Sequence, residues 1–289
     1  MTKDTRNRNI IIAVVVFLAL ACCCMAATAA VGFSIRAGRQ AARTIDGFEL
    51  GTIPATTTFS RSFDVDEPAE LMVDLDVGSL AIVAGDGSTV QVDASIKAFG
   101  VSDTDAQQML DNLQLTATQT GSRVEVVGRW EDPNPLRGRS PQIDLRISVP
   151  RRTDIEVDLG AGRVDVSGIE GNADIKANVG QVTLRDLDIP ETLVVESNVA
   201  EVDYTGALNE GSSYRFTSDV GAIQLRLPED SRFAIDAASD LGAVVVEFDV
   251  VGESTRELTG AKVEGVVGGA SDTTLYLRSD VGAIYVRKQ

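Results

Sequence analysis

Six Asx residues recur along the second half of the chain and supply its most regular set of oxygen donors: Asp158, Asn178, Asn198, Asp219, Asp240 and Asp280. They are spaced by 20 or 21 residues, with one double interval of 40 before Asp280. Stacked in a column, Asp158, Asp219, Asp240 and Asp280 would form a ladder of carboxylates, the hard oxygen ligands that Ca²⁺ takes. The competing reading is structural. At a chain corner an Asx side chain accepts a hydrogen bond from the backbone two residues on, and Asp and Asn serve equally. Two of the six are Asn, and the sequence lacks the Gly-Gly-x-Gly-x-Asp nonapeptide of calcium-binding β-rolls. Structural corners are therefore the favoured reading and the calcium ladder the lesser one.

Other chemistry has less to build on. The chain contains no histidine and no nucleophile motif around Ser or Cys, and no cofactor fingerprint. Glycoside hydrolysis needs two carboxylates at a set separation, and 43 acidic residues supply such pairs by chance. The expectation is a protein without catalytic residues or cofactor. Its net charge of −17 disfavours nucleic acid as a partner, because gripping phosphates takes clustered Lys and Arg.

The elements that must position the Asx column follow from the spacing around it. Apolar residues fall five and three positions before the Asx (Leu193 and Val195, Tyr214 and Phe216, Leu275 and Leu277) and one position after it, the period of two that marks a strand. Past the following glycine they move to four and six positions on: Val182 and Leu184, Ile223 and Leu225, Ile284 and Val286. The parity flips, and a glycine at a bulge or bend permits that without a Cβ clash. Each copy reads as strand, Asx-Gly corner, strand. Gly160, Gly180, Gly221, Gly242 and Gly282 are the corner glycines, and Gly78 in an outlying Asp76-Val77-Gly78 is one more. A fixed period of this length signals stacked units, each too small to bury its own apolar face. The predicted fold is all-β, a β-solenoid or β-roll of about 20-residue coils.

Upstream, residues 1–9 form a short basic tail. From Ile10 to Ile35 no charge appears for 26 residues, more than the roughly 20 that span a bilayer, so 10–35 reads as a transmembrane helix. A cleaved signal sequence ending near Ala27-Thr28-Ala29 is the alternative. Cys22, Cys23 and Cys24 lie inside this segment and fit a lipobox poorly, so the folded part uses no disulfide. Basic residues flank the segment equally on both sides. The short tail behaves like a secretion signal, which places the large domain outside the cytoplasm. Residues 36–60, rich in Ala, Thr and Gly, read as a flexible linker, and 61–289 as the folded domain.

Within that domain, alternating runs at Leu71–Val77, Val90–Ile96, Leu113–Thr118, Val124–Trp130 and Ile143–Val149 predict strands. Ser102, followed by Asp103, Asp105, Ala106, Met109, Leu110 and Leu113, has the cap, acidic first turn and spacing of one amphipathic helix covering a flank or open end. The loop 131–141 carries Arg137 and Arg139 and, with Arg151 and Arg152, makes the main basic spot. Trp130 beside it reads as a core lid.

The runs Ile143-Asp144-Leu145-Arg146-Ile147-Ser148-Val149-Pro150, Ile155-Glu156-Val157 and Gly160-Ala161-Gly162-Arg163-Val164-Asp165-Val166 resemble the opening of a bacterial putative adhesin family, with its V-P step and repeated G-x-V-x-V phrases. The resemblance covers about residues 61–289. It implies an envelope-associated β-solenoid behind one membrane segment and offers no catalytic residues to carry over. The sequence departs from the repeat at Ala200 and between Gly242 and Gly282, where Thr259-Gly260-Ala261-Lys262-Val263 reads as a degraded copy.

The function that follows is a membrane-anchored, extracytoplasmic β-solenoid with a structural, adhesion-like or envelope-interaction role, its partners an envelope protein or polysaccharide. An envelope-stress sensor acting through a membrane partner is the first alternative and a carbohydrate-active enzyme on a β-helix scaffold the second. The last coil ends at Gln289 with nothing after it, so its open edge is expected to support weak self-association.

Overall fold

The computed structural model describes residues 53–130, 142–256 and 259–289. The basic tail, the apolar segment 10–35, most of the linker and the arginines of the 131–141 loop lie outside the described residues. Among the described residues no helix is long and apolar enough to cross a membrane. Strands make up 73% of the described residues and helix 4%, so the fold is all-β.

Four long strands bend through a corner, Asx-Val-Gly in β2 (Ala69–Gly85) and β8 (Ala173–Arg185), Gly-Ala-Gly in β7 (Thr153–Ser167) and Asn-Val-Ala in β9 (Thr192–Thr205). Three further copies break at the corner into two strands each: β10 and β11 (Ser213–Val220, Ile223–Leu227), β12 and β13 (Phe233–Leu241, Val244–Val246), and β16 and β17 (Thr274–Val281, Ile284–Lys288). All seven copies stack in parallel register. Each contributes an inner row before the corner, such as Leu193 and Val195, and another after it, such as Val202 and Tyr204. Both rows feed one core, in which Leu71, Val157, Ile175, Val195, Phe216 and Leu277 are each at most 1% exposed. Burying such a side chain stabilises by roughly 1.5–3 kcal/mol. Repeating it row on row compensates for the small contribution of any single row. Around β9 and β10 the aliphatic rows give way to Tyr204, Tyr214 and Phe216, with ring centroids 6.0 Å and 5.7 Å from Tyr204.

The stacking order departs from the sequence order at one place. The C-terminal copy, β16 and β17, lies between β10/β11 and β12/β13: Ser213 pairs with Thr274, and Thr274 with Ala234. The interval of 40 before Asp280 is filled by an antiparallel hairpin, β14 (Val250–Arg256) and β15 (Ala261–Val267), which extends the sheet beyond β12. The stretch Thr259–Val263 is thus the turn and start of a hairpin strand, not a coil copy. The expectation of an open C-terminal coil is corrected too, because both sides of β16 and β17 are paired, and the unpaired sides at this end belong to β13 and β14.

At the other end the sheet turns antiparallel. β6 (Gln142–Pro150) runs parallel to the second arm of β2, and β3 (Thr89–Gly100) and then β1 (Ile53–Asp64) follow antiparallel. β5 (Arg123–Trp130) joins the first arm of β2, with β4 (Leu113–Thr120) as its hairpin partner. The folded part therefore starts by Ile53, inside the stretch read as linker. Ala55, Phe59 and Phe63 pack against the core and hold β1 as an edge strand. Helix α1 (Asp103–Asp111) lies against β3 and β1 with Ala106, Met109 and Leu110 buried. Its cap is reciprocal: Asp105 N–H donates to Ser102 Oγ at 3.2 Å, and Val101 N–H donates to the Asp105 carboxylate at 2.8 Å.

At Gly180 glycine is required for two reasons. Gly180 has φ 144°, and a Cβ there would lie well inside 3.0 Å of the Gly162 carbonyl oxygen. Ala200 occupies the same row without a positive φ and is buried at 3%. That coil keeps its register despite the missing glycine. Gly180→Ala is expected to cost at least about 2 kcal/mol, whereas Ala200→Gly stays within about 1 kcal/mol. Urea unfolding of the two variants measures the difference; equal costs would mean that the corner tolerates a Cβ.

Candidate functional site

The corners line up as a ridge. Where each strand crosses it, one residue has no cross-strand partner: Asp76, Gly160, Asn178, Asn198, Asp219, Asp280 and Asp240, in spatial order. Two expectations change here. Asp158 does not join the column. It pairs with Asp74 and Lys176 on an exposed outer face, and Gly160 takes its place in the column, with Gly162 as the corner glycine of that coil. Gly160 needs glycine for a different reason, the close approach of the Asp76 carbonyl. Asp-Leu-Gly and Gly-Ala-Gly overlap in the sequence, and the strand pairing selects the second. Gly78, read as outlying, shares a row with Gly162 and Gly180.

Along this ridge the chemistry changes from one end to the other. Asp76 is neutralised: its carboxylate takes Arg129 at 3.1 Å and the Trp130 N–H at 3.0 Å, while Arg129 also binds Asp74. The hydrogen bond to Asp74 is the main reason the Arg129 pKa is raised, and these contacts fasten β5 to β2. Trp130 is half-buried and packs on the core, as a lid does. In the middle, Asn198 Nδ2 donates to Asn178 Oδ1 at 3.0 Å, a single amide pair across two adjacent rows. At the far end Asp219, Asp280 and Asp240 follow in successive rows. Asp280 is pushed above the usual carboxylate range, first by partial burial and then by repulsion from Asp219 and Asp240, with Arg278 opposing. Among the described residues no three His, Cys, Asp or Glu side chains come together to hold a metal. The four-member calcium ladder loses Asp158 to the other face, and the three remaining acids repel one another.

Two features escaped the sequence reading. The residues one position after the Asx face outward, although period two put them inside: Val179, Val199 and Leu241 are 49%, 48% and 43% exposed. The bulge absorbs one step of the alternation, and the ridge becomes an apolar stripe beside a polar one. The second is a buried serine column just before the Asx, at Ser197, Ser218, Ser239 and Ser279. Ser279 Oγ donates to Gly221 O at 3.2 Å and Ser239 Oγ to Gly282 O at 2.7 Å, so each hydroxyl ties its corner to the next. The fourfold Ser-Asx-aliphatic-small phrase was the available signal.

Elsewhere, a depression of about 240 Å³ on the outer face is lined by Glu70, Arg123, Glu156 and Asp174 among others. Arg123 lies 3.5 Å from the carboxylates of both Glu70 and Glu156 and offsets part of their charge. Arg151 and Arg152 are exposed.

No family model matches the sequence, and no curated protein matches it. Among solved structures the protein is similar to a putative cell adhesion protein from Clostridium sporogenes, at 15% identity over 81% of this chain and 100% of that one, with a TM-score of 0.42. A putative adhesin from Bacteroides fragilis gives 14% identity over 80% and 97%, also at 0.42. A putative lipid binding protein from Parabacteroides distasonis gives 8% over 80% and 96%, at 0.27.

The acid rows make stability depend on pH in a defined direction. A carboxyl whose pKa is raised by folding binds its proton more tightly in the folded state, so ionising it costs stability. The cost is absent below the ordinary carboxylate range and complete above the raised pKa. Asp280→Asn is therefore expected to melt higher than the parent at pH 7 and to lose that advantage near pH 3. Melting curves at both values test it, and a variant that melts lower at pH 7 would show that the rows do not repel.

Proposed function

We propose that this protein is a membrane-tethered β-solenoid of the cell envelope whose domain lies outside the cytoplasm and binds an envelope protein or polysaccharide without catalysis. The observation that carries this reading is the corner ridge. Exposed aliphatic side chains at Val179, Val199 and Leu241 run beside a column of amides and acids, repeated at strand spacing along the stack. A row-by-row surface of this kind offers an extended face, the form in which repeat proteins bind partners. The apolar run 10–35 supplies the tether, and the net charge of −22 over the residues after Thr44 and Ile45 suits a surface kept soluble beyond the membrane.

Two experiments test the two halves of the reading. Protease treatment of intact cells carrying a tag after Gln289 is expected to remove the tag while a cytoplasmic control survives. Protection that persists after the outer layers are permeabilised would reject the external location. Val179→Asp with Val199→Asp is expected to leave the melting temperature nearly unchanged, within about 0.5 kcal/mol per exposed site. The same pair should weaken retention of the purified domain on isolated envelopes. Unchanged retention would remove the ridge from the binding surface.

A further inference from the structure

The C-terminal coil enters the stack from the side, between two coils that are consecutive in sequence. Residues 274–288 fill the slot between β10/β11 and β12/β13, and both walls of that slot carry the same phrase as the insert: Ser218-Asp219-Val220-Gly221, Ser279-Asp280-Val281-Gly282 and Ser239-Asp240-Leu241-Gly242. Recognition of the insert is by backbone pairing along both arms, by the serine hydroxyls across each corner, and by Leu275, Leu277, Ile284 and Val286, each at most 1% exposed. The segment that leads into it, 268–273, contains Gly268 and Gly269 at φ 70° and 101°, both exposed, and a Cβ at Gly269 would meet nothing within 4 Å. The insert is thus tightly held, and Thr273 at its entrance is buried with it, its hydroxyl donating to Asn209 O at 2.8 Å, while Gly268, Gly269 and Ala270 lead in exposed, with Ser271 Oγ donating to Arg232 O at 3.2 Å.

We propose that the slot exchanges its insert between two copies of this chain, so that the C-terminal coil of one completes the stack of the other in a reciprocal dimer. Such an exchange keeps every contact of the slot. Closed and exchanged forms differ only in the path of 268–272, with its hydrogen bond from Ser271 to Arg232, and in the cost of association, which are the conditions under which identical elements swap. The insert leaves without unravelling its neighbours' sequence order, because β10/β11 and β12/β13 are joined to each other directly through 228–232. This mode of pairing is strand addition into a sheet, with the corner glycine as its specificity element.

The test uses the full chain in mild detergent, held at the midpoint of its urea transition and returned to buffer at protein concentrations from about 10 µM to about 1 mM. Dimer measured by sedimentation is expected to increase with concentration, as mass action requires. A free peptide of residues 270–289, in about tenfold molar excess during refolding, is expected to lower the dimer about tenfold by occupying the slot. The same peptide carrying Gly282→Val is expected to leave the dimer unchanged, because its Cβ would lie well inside 3.0 Å of Gly221 O. No dimer at any concentration would overturn the proposal. So would a dimer that ignores both peptides or responds equally to both, since either points to association through another surface.

Discussion

Everything in this fold hangs on how closely one corner peptide approaches the next. The carbonyl oxygen of each corner occupies the space where a Cβ of the neighbouring corner would stand, at Gly162, Gly180, Gly221, Gly242 and Gly282 alike. Strand spacing fixes the rise between rows, so a side chain at that point would have to push whole rows apart or rotate the bend. With the approach satisfied, the bulge takes up one step of the alternation and lets both arms point their apolar side chains into one core. Without it, one arm would turn its Val and Ile residues to water. Backbone geometry at a residue with no side chain thus decides the burial of side chains on either side of it.

The same constraint explains what stands beside the glycine. Serine before the Asx is small enough to sit inside the bend, and its hydroxyl reaches a carbonyl that the bulge leaves without a ladder partner. The Asx residue points out at the ridge, where its side chains stack on their equivalents one row away. Asn does this well, since an amide carries both a donor and an acceptor and forms a pair with itself. Ionised Asp carries acceptors only. Asp219, Asp280 and Asp240 therefore sit in repulsive succession, while Asp76 at the other end meets the guanidinium of Arg129. Gly160 apart, composition at this column leaves the register unchanged and sets the charge of the ridge.

How much of this the sequence discloses depends on whether a signal is local. Strand, corner and strand are local, written in the spacing of Leu193, Val195, Val202 and Tyr204 about Asn198, and the helix after Ser102 is written in its cap. Register is not local. Asp158-Leu159-Gly160 satisfies the corner pattern as well as Gly160-Ala161-Gly162 does, and only pairing with Asp76 and Asn178 separates them. Stacking order is less local still. Three successive copies of Ser-Asp-aliphatic-Gly make interchangeable neighbours, so nothing in their residues says that the last lies between the first two. The exposure of Val179 and Val199 was hidden for a related reason, because period two assigns them inward unless the bulge is placed between the serine and the glycine.

The ends of the stack follow from its parallel middle. Parallel rows leave a full set of unpaired backbone groups on each terminal strand, and such edges invite pairing. Here both ends switch to antiparallel strands. β1, β3, β6 and α1 close one side, with the β4 and β5 hairpin alongside, and β14 with β15 extends the other. The far edge is then β14, where Val251 is 76% exposed. Because the β14 and β15 hairpin precedes β16 in the chain, the strands that cap β12 are synthesised before the row that lies on its other side. The last row must therefore enter sideways, between walls that are already joined to each other. A terminal repeat added on the end would need only one neighbour. An inserted one needs two at the same spacing, which the shared corner geometry of Gly221 and Gly242 provides.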